Sequence, residues 1–366
     1  MLRTELFNVD TILDRLLPWV REESPTNHVI GVNRMMDLVG ADLASIGGTL
    51  ERIPGTGGRG DIVLARFAGR DGTNSPGVGT LAGRLALRRD GDRYFGPGIY
   101  DMKGGVAIAV EALKIVREQA RGAALPVTFM LIPDEEIGSP SSRERIEEEA
   151  KRHKYVLVTE PCKNGVVVTG RFAFQRFWID VEGRPAHAGA TNRQGRSAIR
   201  AMARLIEQIE NMTDFERGMT FSVGTIEGGT FVNVMPIRCR AQVLTVAPTQ
   251  PIFDEVASRM AAFESENDGI TVKIERGPVR PLWQPHRQTM ALYEKAHELA
   301  ASIGFKLEHG SFGGGSDGNF TGALGVATLD GLGVDGASAH TFEEHILVSS
   351  LVPRCRLFAE LLRTLD

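Results

Sequence analysis

The sequence predicts an α/β protein: a mainly parallel sheet with flanking helices, carrying an inserted α+β domain. Three observations predict it. Short apolar runs that end in acidic residues alternate with amphipathic helical stretches up to about residue 170. Between about Arg171 and Arg280 the order becomes strand, helix, strand, strand, helix, strand. Helical spacing then returns at Gln288 to Ile303, so the first domain is discontinuous, 1–170 with 281–366, around an insert of 171–280.

Val9 to Val20 and Gly31 to Ile46 carry apolar residues at helical spacing, Val32, Met35, Met36, Val39 and Leu43 among them. Thr49 to Ile53 and Asp61 to Phe67 alternate or run apolar as strands do. A helix from about Gly104 to Glu118 carries Val106, Ala109, Val110, Leu113 and Val116 as one stripe. Val127 to Ile132 and Tyr155 to Thr159 are short apolar runs of the kind covered on both faces, which is why a parallel sheet is expected. In the insert, Phe172 to Val181, Thr220 to Ile226 and Ile237 to Val246 alternate like half-exposed antiparallel strands, Gly269 to Ile274 is a last strand, and Ser197 to Met212 and Ile252 to Phe263 are helices.

Composition narrows the function. A chain of 366 residues exceeds the size at which one core stops growing, which suits two domains. The net charge of -4 is spread without a basic block, which excludes a nucleic-acid binder. Met1 to Val20 is amphipathic with no uninterrupted apolar stretch, so neither signal peptide nor membrane anchor is expected and a cytoplasmic location is. Cys162, Cys239 and Cys355 are odd in number, far apart and outside any Cys-x-x-Cys spacing, and they read as small buried hydrophobes.

Four motifs carry the chemistry: Gly-Ile-Tyr-Asp101-Met-Lys-Gly-Gly, Pro-Asp-Glu135-Glu136, Thr-Glu160-Pro and Ser-Ala-His340-Thr. Three of them follow short strands, where α/β folds build their sites. Adjacent glutamates leave the backbone in different directions, so one can bind a metal while its neighbour holds and deprotonates a water. Each motif has a plainer reading: Asp101 as a helix N-cap, Asp134 to Glu136 as an acidic first turn, Glu160 as a strand-end charge, His340 as a surface histidine. Their joint occurrence favours a hydrolytic metal site.

Taken in order, Gly-Pro-Gly-Ile-Tyr-Asp-Met-Lys-Gly-Gly, Pro-Asp-Glu-Glu-Ile-Gly-Ser, Thr-Glu-Pro, Gly-Arg-Pro-Ala-His-Ala-Gly and Gly-Gly-Gly-Ser-Asp-Gly resemble the co-catalytic zinc hydrolases that include glutamate carboxypeptidase, acetylornithine deacetylase, succinyl-diaminopimelate desuccinylase and the aminoacylases. The glutamate carboxypeptidase branch is the nearest. The resemblance implies a zinc-exopeptidase-like catalytic domain with the insert as lid and dimerisation domain of a homodimer. It implies two divalent metal ions, zinc or else cobalt or manganese, with Asp101 bridging them, Glu136 and His340 completing one site, Glu160 serving the other, and Glu135 as general base. It implies further that His187 reaches the partner subunit's active site to polarise the scissile carbonyl, and that Asn233, Arg280 and Gly314, in the loop from Gly313 to Ser316, meet a small N-acyl amino acid or peptide substrate.

The chain also departs from that pattern. Members carry a strand ending in His-x-Asp ahead of the Asp101 motif, the histidine binding the second metal. Here no histidine lies between His28 and His153, and after Gly72 the chain reads Thr-Asn-Ser-Pro-Gly-Val-Gly-Thr-Leu-Ala-Gly. A loss of roughly ten residues matches a strand and its ligand-bearing end. Three explanations stand: a segment missing from the sequence as given, a true deletion leaving a one-metal or defective enzyme, or replacement with Asp71 as ligand. Val246 likewise stands where many relatives have a carboxylate-gripping arginine, leaving Arg280, Arg238 or Arg240 to supply the charge. The sequence thus points to a metal-dependent hydrolase cleaving an amide bond beside a free carboxylate, with a non-catalytic or one-metal ligand-binding relative as the alternative.

Overall fold

The structure is a computed structural model and describes residues 1–69, 87–120, 122–162 and 164–366. Residues 70–86, with Asp71 and the place of the expected His-x-Asp strand, lie outside the described residues. The chain divides into two compact units: Met1–Gly170 with Gln284–Phe312 and Ser316–Asp366, and Arg171–Trp283 with Gly313–Gly315.

In the first unit the apolar stripes read from the sequence become helices α1 (Val9–Arg21) and α2 (Val29–Ser45). Asn8 caps α1 by accepting the N–H groups of Asp10 and Thr11, two donors that the first helical turn leaves without a partner. Helix α3 (Gly104–Gln119) is buried on nearly every side, from Gly104 through Leu113, and packs on α1 and on the terminal helix α9 (Val348–Thr364). A helix apolar all round belongs in a core, and this one starts just after Asp101.

Strands β1 (Thr49–Ile53), β2 (Ile62–Phe67) and β5 (Val127–Leu131) form one sheet, with Leu50 opposite Ala65 and Val63 opposite Leu131. Strand β6 (Tyr155–Leu157) pairs with β14 (Ala327–Leu329), Val156 opposite Thr328. Among the described residues the β1, β2 and β5 ladders are antiparallel, and the β6 and β14 ladder is parallel.

A further sheet orders the strands as β15 (Gly336–Ala337), β16 (His345–Leu347), β4 (Arg93–Phe95) and β3 (Arg88–Asp90). Its register sets His345 opposite Phe95. The chain that follows His340 thereby lies against the chain that precedes Asp101.

The second unit holds a five-stranded antiparallel sheet with the order β11 (Ser265–Asn267), β12 (Ile270–Arg280), β8 (Ala173–Glu182), β10 (Arg238–Ala247) and β9 (Thr220–Gly228). Phe177 on β8 faces Val243 on β10, and Ile179 faces Ile274 on β12. Alternation along β8 and β10 puts Phe177, Ile179, Val181, Ala241 and Val243 into a core shared with Met202 of α5 (Ala198–Glu210) and Met260 of α6 (Gln250–Ala261). No helix among the described residues is long and apolar enough to cross a membrane.

Candidate metal centre

Asp101 sits where helical order is interrupted. Gly98 has φ +64°, Asp101 and Met102 have non-helical dihedrals, and α3 begins only at Gly104. The residue at the N-cap of α3 is Lys103, with no side-chain cap, so the plain reading of Asp101 as the helix cap is overturned. Its carboxylate turns instead to His340, Oδ2 lying 3.2 Å from Nε2.

Strand β5 ends in a short 3-10 turn, Glu135–Ile137, and Asp134 ahead of it is fully buried. Asp134 accepts the Ser141 N–H at 2.7 Å and the hydroxyls of Ser141 and Ser142, which anchors the turn. The anchored turn presents Glu136, whose Oε1 lies 3.1 Å from the same His340 Nε2. Asp101, Glu136 and His340 thus each offer a ligand atom, all within 4.8 Å of one another.

One imidazole and two carboxylates are a donor set that suits zinc, cobalt or manganese, and three protein ligands leave a position open for water or substrate. Two donors each about 2.0–2.1 Å from a tetrahedral ion stand about 3.3–3.4 Å apart, close to the separations of His340 Nε2 from its two neighbours. The residues therefore fit one divalent ion. Hydrogen bonding to Asp101, aided by the charges of Glu136 and Asp101 against the cost of burial, raises the His340 pKa to about 9, so a metal must displace that proton. His340 has φ +62° and Ser338 φ +63°, a backbone region that non-glycine residues enter only where the surroundings dictate it.

Glu160 ends the segment after β6, is 8 % exposed, and stands outside the three-residue group. Gly105 explains how α3 and this segment come together: a Cβ on Gly105 would lie 2.0 Å from the Thr159 carbonyl oxygen. Glu135 occupies the turn beside Glu136 and is half-buried.

In the second unit, His187 pairs with Val234, and the Ala188 N–H donates to the Asn233 carbonyl, so these two candidates share one exposed face. The His187 Nδ1 accepts the N–H groups of Gly189 and Ala190 at 3.2 and 3.1 Å, which leaves the ring proton to Nε2. Arg280 is 8 % exposed and runs past Gly315, where a Cβ would come within 2.9 Å of Arg280 Cδ. The Gly314 carbonyl accepts from Arg171. Arg238 and Arg240 are not spare cations, since both pair with Asp180. The three cysteines are buried and free, as expected.

The profile of Peptidase family M20/M25/M40 matches residues 76–364. The chain belongs to that family. Carboxypeptidase G2 of Pseudomonas sp. (strain RS-16) is 26% identical over 362 residues, covering 94% of this chain and 86% of the relative. Acetylornithine deacetylase of Myxococcus xanthus is 28% identical over 202 residues, covering 52% of this chain and 51% of the relative. Among solved structures, a tripeptidase of Staphylococcus aureus superposes with a TM-score of 0.77 at 17% identity, covering 98% of each chain, and a metallo-carboxypeptidase of Sulfolobus solfataricus with 0.75 at 15%, covering 96% of this chain and 98% of the other. These likenesses show the fold. As a family member the chain is a hydrolase of the peptidase and deacylase kind, in a family of metallopeptidases.

Sequence reasoning missed two charged residues beneath the centre. Glu344 is 5 % exposed, and burial pushes its carboxyl above the ordinary value while bonds from the Asp101, Gly98 and Tyr100 N–H groups pull it back. Lys103 is fully buried and donates to the Glu22 carbonyl at 2.8 Å; burial brings it down to about 7, against the pull of Glu344, Glu22 and Glu23. Only their place in motifs already singled out, two residues after Asp101 and four after His340, could have drawn attention to them.

Proposed function

We propose that this enzyme hydrolyses an amide bond beside a free carboxylate, as a carboxypeptidase or N-acyl amino acid amidohydrolase, with Asp101, Glu136 and His340 holding a divalent ion and Glu135 as general base. The observation that carries the reading is the convergence of those three ligands on one point beside Glu135. A divalent ion held there supplies Lewis acidity, drawing electrons from a carbonyl oxygen and making a water easier to deprotonate. Glu135 takes the proton of the attacking water and delivers it to the departing amine. His187 of one subunit reaches the partner subunit's centre in this reading and donates to the oxyanion as it develops, with Asn233 and Gly314 as substrate-binding residues. The buried guanidinium of Arg280 meets the substrate carboxylate, a role in which planar, charge-assisted pairing suits arginine.

The test is turnover of N-acyl amino acids and dipeptides before and after dialysis against a chelator. Activity should vanish with the metal and return with zinc, cobalt or manganese; turnover that survives complete removal of metal rules this mechanism out. Metal analysis of the same samples counts the ions. Two per chain support Glu160 as ligand of a second ion. A one-ion centre, with or without turnover, is the second reading, favoured by the three-residue group and by the sequence's lack of any histidine between His28 and His153.

The second unit is proposed as a lid that also makes a homodimer. Strand β9 ends its sheet on one side, and Phe231, Val232 and Ile237 near it are exposed, features of a surface that pairs with another chain. Light scattering should give a mass of twice 39.8 kDa, and a monomer at micromolar concentration refutes the dimer.

A further inference from the structure

We propose that Glu344 is the positioning residue that fixes Asp101 relative to His340 and so sets the affinity of the centre for its ion; this rests on the metal-site reading above. The segment Gly98 to Asp101 cannot satisfy its amides through a helical ladder, because Gly98 lies in the left-handed region and Asp101 and Met102 are non-helical. Its N–H groups turn to one side chain. Gly98 donates to Glu344 Oε2 at 2.9 Å, and Tyr100 and Asp101 donate to Oε1 at 3.0 Å each. Both oxygens of a buried carboxylate are thus spent on the backbone that aims the Asp101 side chain, through charge-assisted bonds of the stronger kind.

The same residue is tied to the other ligand. Glu344 lies four positions after His340, its N–H donates to the Thr341 carbonyl, and its own carbonyl accepts from Gly96. The next residue, His345, pairs with Phe95 in the β16 and β4 ladder. The loop carrying His340 and the loop carrying Asp101 therefore meet at Glu344, by main chain on one side and by carboxylate on the other. His340 keeps φ +62° at the far end of this arrangement, a conformation that needs such outside constraint. The adjacent Glu343 has no such place: its side chain is 70% exposed and pairs with an exposed Arg88.

Groups that orient metal ligands without touching the ion change its affinity by about 10–100-fold when replaced. Glu344→Gln keeps an oxygen for Tyr100 and Asp101 but turns an NH2 donor against the Gly98 N–H, so it should misplace Asp101 without changing the size of the side chain. Zinc affinity is measured by competition with a chromogenic chelator on the full chain, for wild type, Glu344→Gln and Glu343→Gln, together with the melting temperature of each metal-free protein. The expected result is zinc binding weakened about 10–100-fold in Glu344→Gln and unchanged within about twofold in Glu343→Gln. A lowered melting temperature with wild-type zinc affinity shows a merely structural residue and overturns the proposal. If Glu344→Gln does not fold, Glu344→Asp, which keeps the charge and withdraws it by one methylene, must show the same weakening, and equal affinity there overturns it likewise. Zinc taken up by neither wild type nor variant defeats the metal-site reading along with this one, whereas equal uptake by both defeats the role of Glu344 alone.

Discussion

Glu135→Gln is expected to lower turnover by on the order of 10²–10⁴-fold while leaving the metal content at the wild-type level. The two glutamates of the turn are chemically identical and adjacent, yet the geometry separates them. Glu136 lies 3.1 Å from His340 Nε2 in the ligand group, and Glu135 stands outside that group on the same short turn. Asp134 holds the turn from behind through Ser141 and Ser142, so exchanging one carboxylate oxygen of Glu135 for NH2 should not move Glu136. Glutamine keeps the shape and can still hold a water, but it cannot accept the proton. The measurements are kcat on the substrate found active and bound metal by mass spectrometry on the same preparation. Joint loss of metal and turnover would show Glu135 to be a ligand and would remove the general base from the mechanism.

That separation of the two glutamates marks where the sequence stops being informative. Periodicity located α1, α2, α3 and the strands before Glu135 and Glu160 because each repeats an apolar spacing over several residues. Strand β3, Arg-Arg-Asp with every residue exposed, has no such spacing, and only its pairing with β4 makes it a strand. Helix α9 continues through Pro353, its sixth residue, although a proline there withdraws one N–H from the helical ladder and reads in the sequence as a breaker. Strand β12 runs on to Arg280, past an irregularity between Arg276 and Val279 that hides its alternation. The candidate ligands were legible as residue types in motifs, but their convergence was not, since Asp101, Glu136 and His340 are joined only by the tertiary fold. Glu344 and Glu343 are indistinguishable in sequence; one is buried under three amides and the other lies in solvent.

Replacing His340 should cost the centre its zinc. The imidazole is the one nitrogen donor of the three-residue group, and what remains, Asp101 and Glu136, is a pair of carboxylates better suited to harder ions such as manganese or magnesium. His340→Ala is therefore expected to weaken zinc binding by more than the roughly 100-fold typical of the largest outer-shell substitutions, to lower turnover in step, and to shift the remaining preference toward manganese. Backbone strain offers a control within the same position. His340 has φ +62°, which glycine adopts freely and alanine does not, so His340→Gly should be more stable than His340→Ala by about 1 kcal/mol, and both should be equally poor in zinc. The His340 side chain is 65% exposed, so added imidazole can reach the space it vacates and should restore part of the activity in both variants. Zinc affinity preserved in His340→Gly would mean that the ring is dispensable to the ion, and the assignment of Asp101, Glu136 and His340 as a ligand set would fail with it.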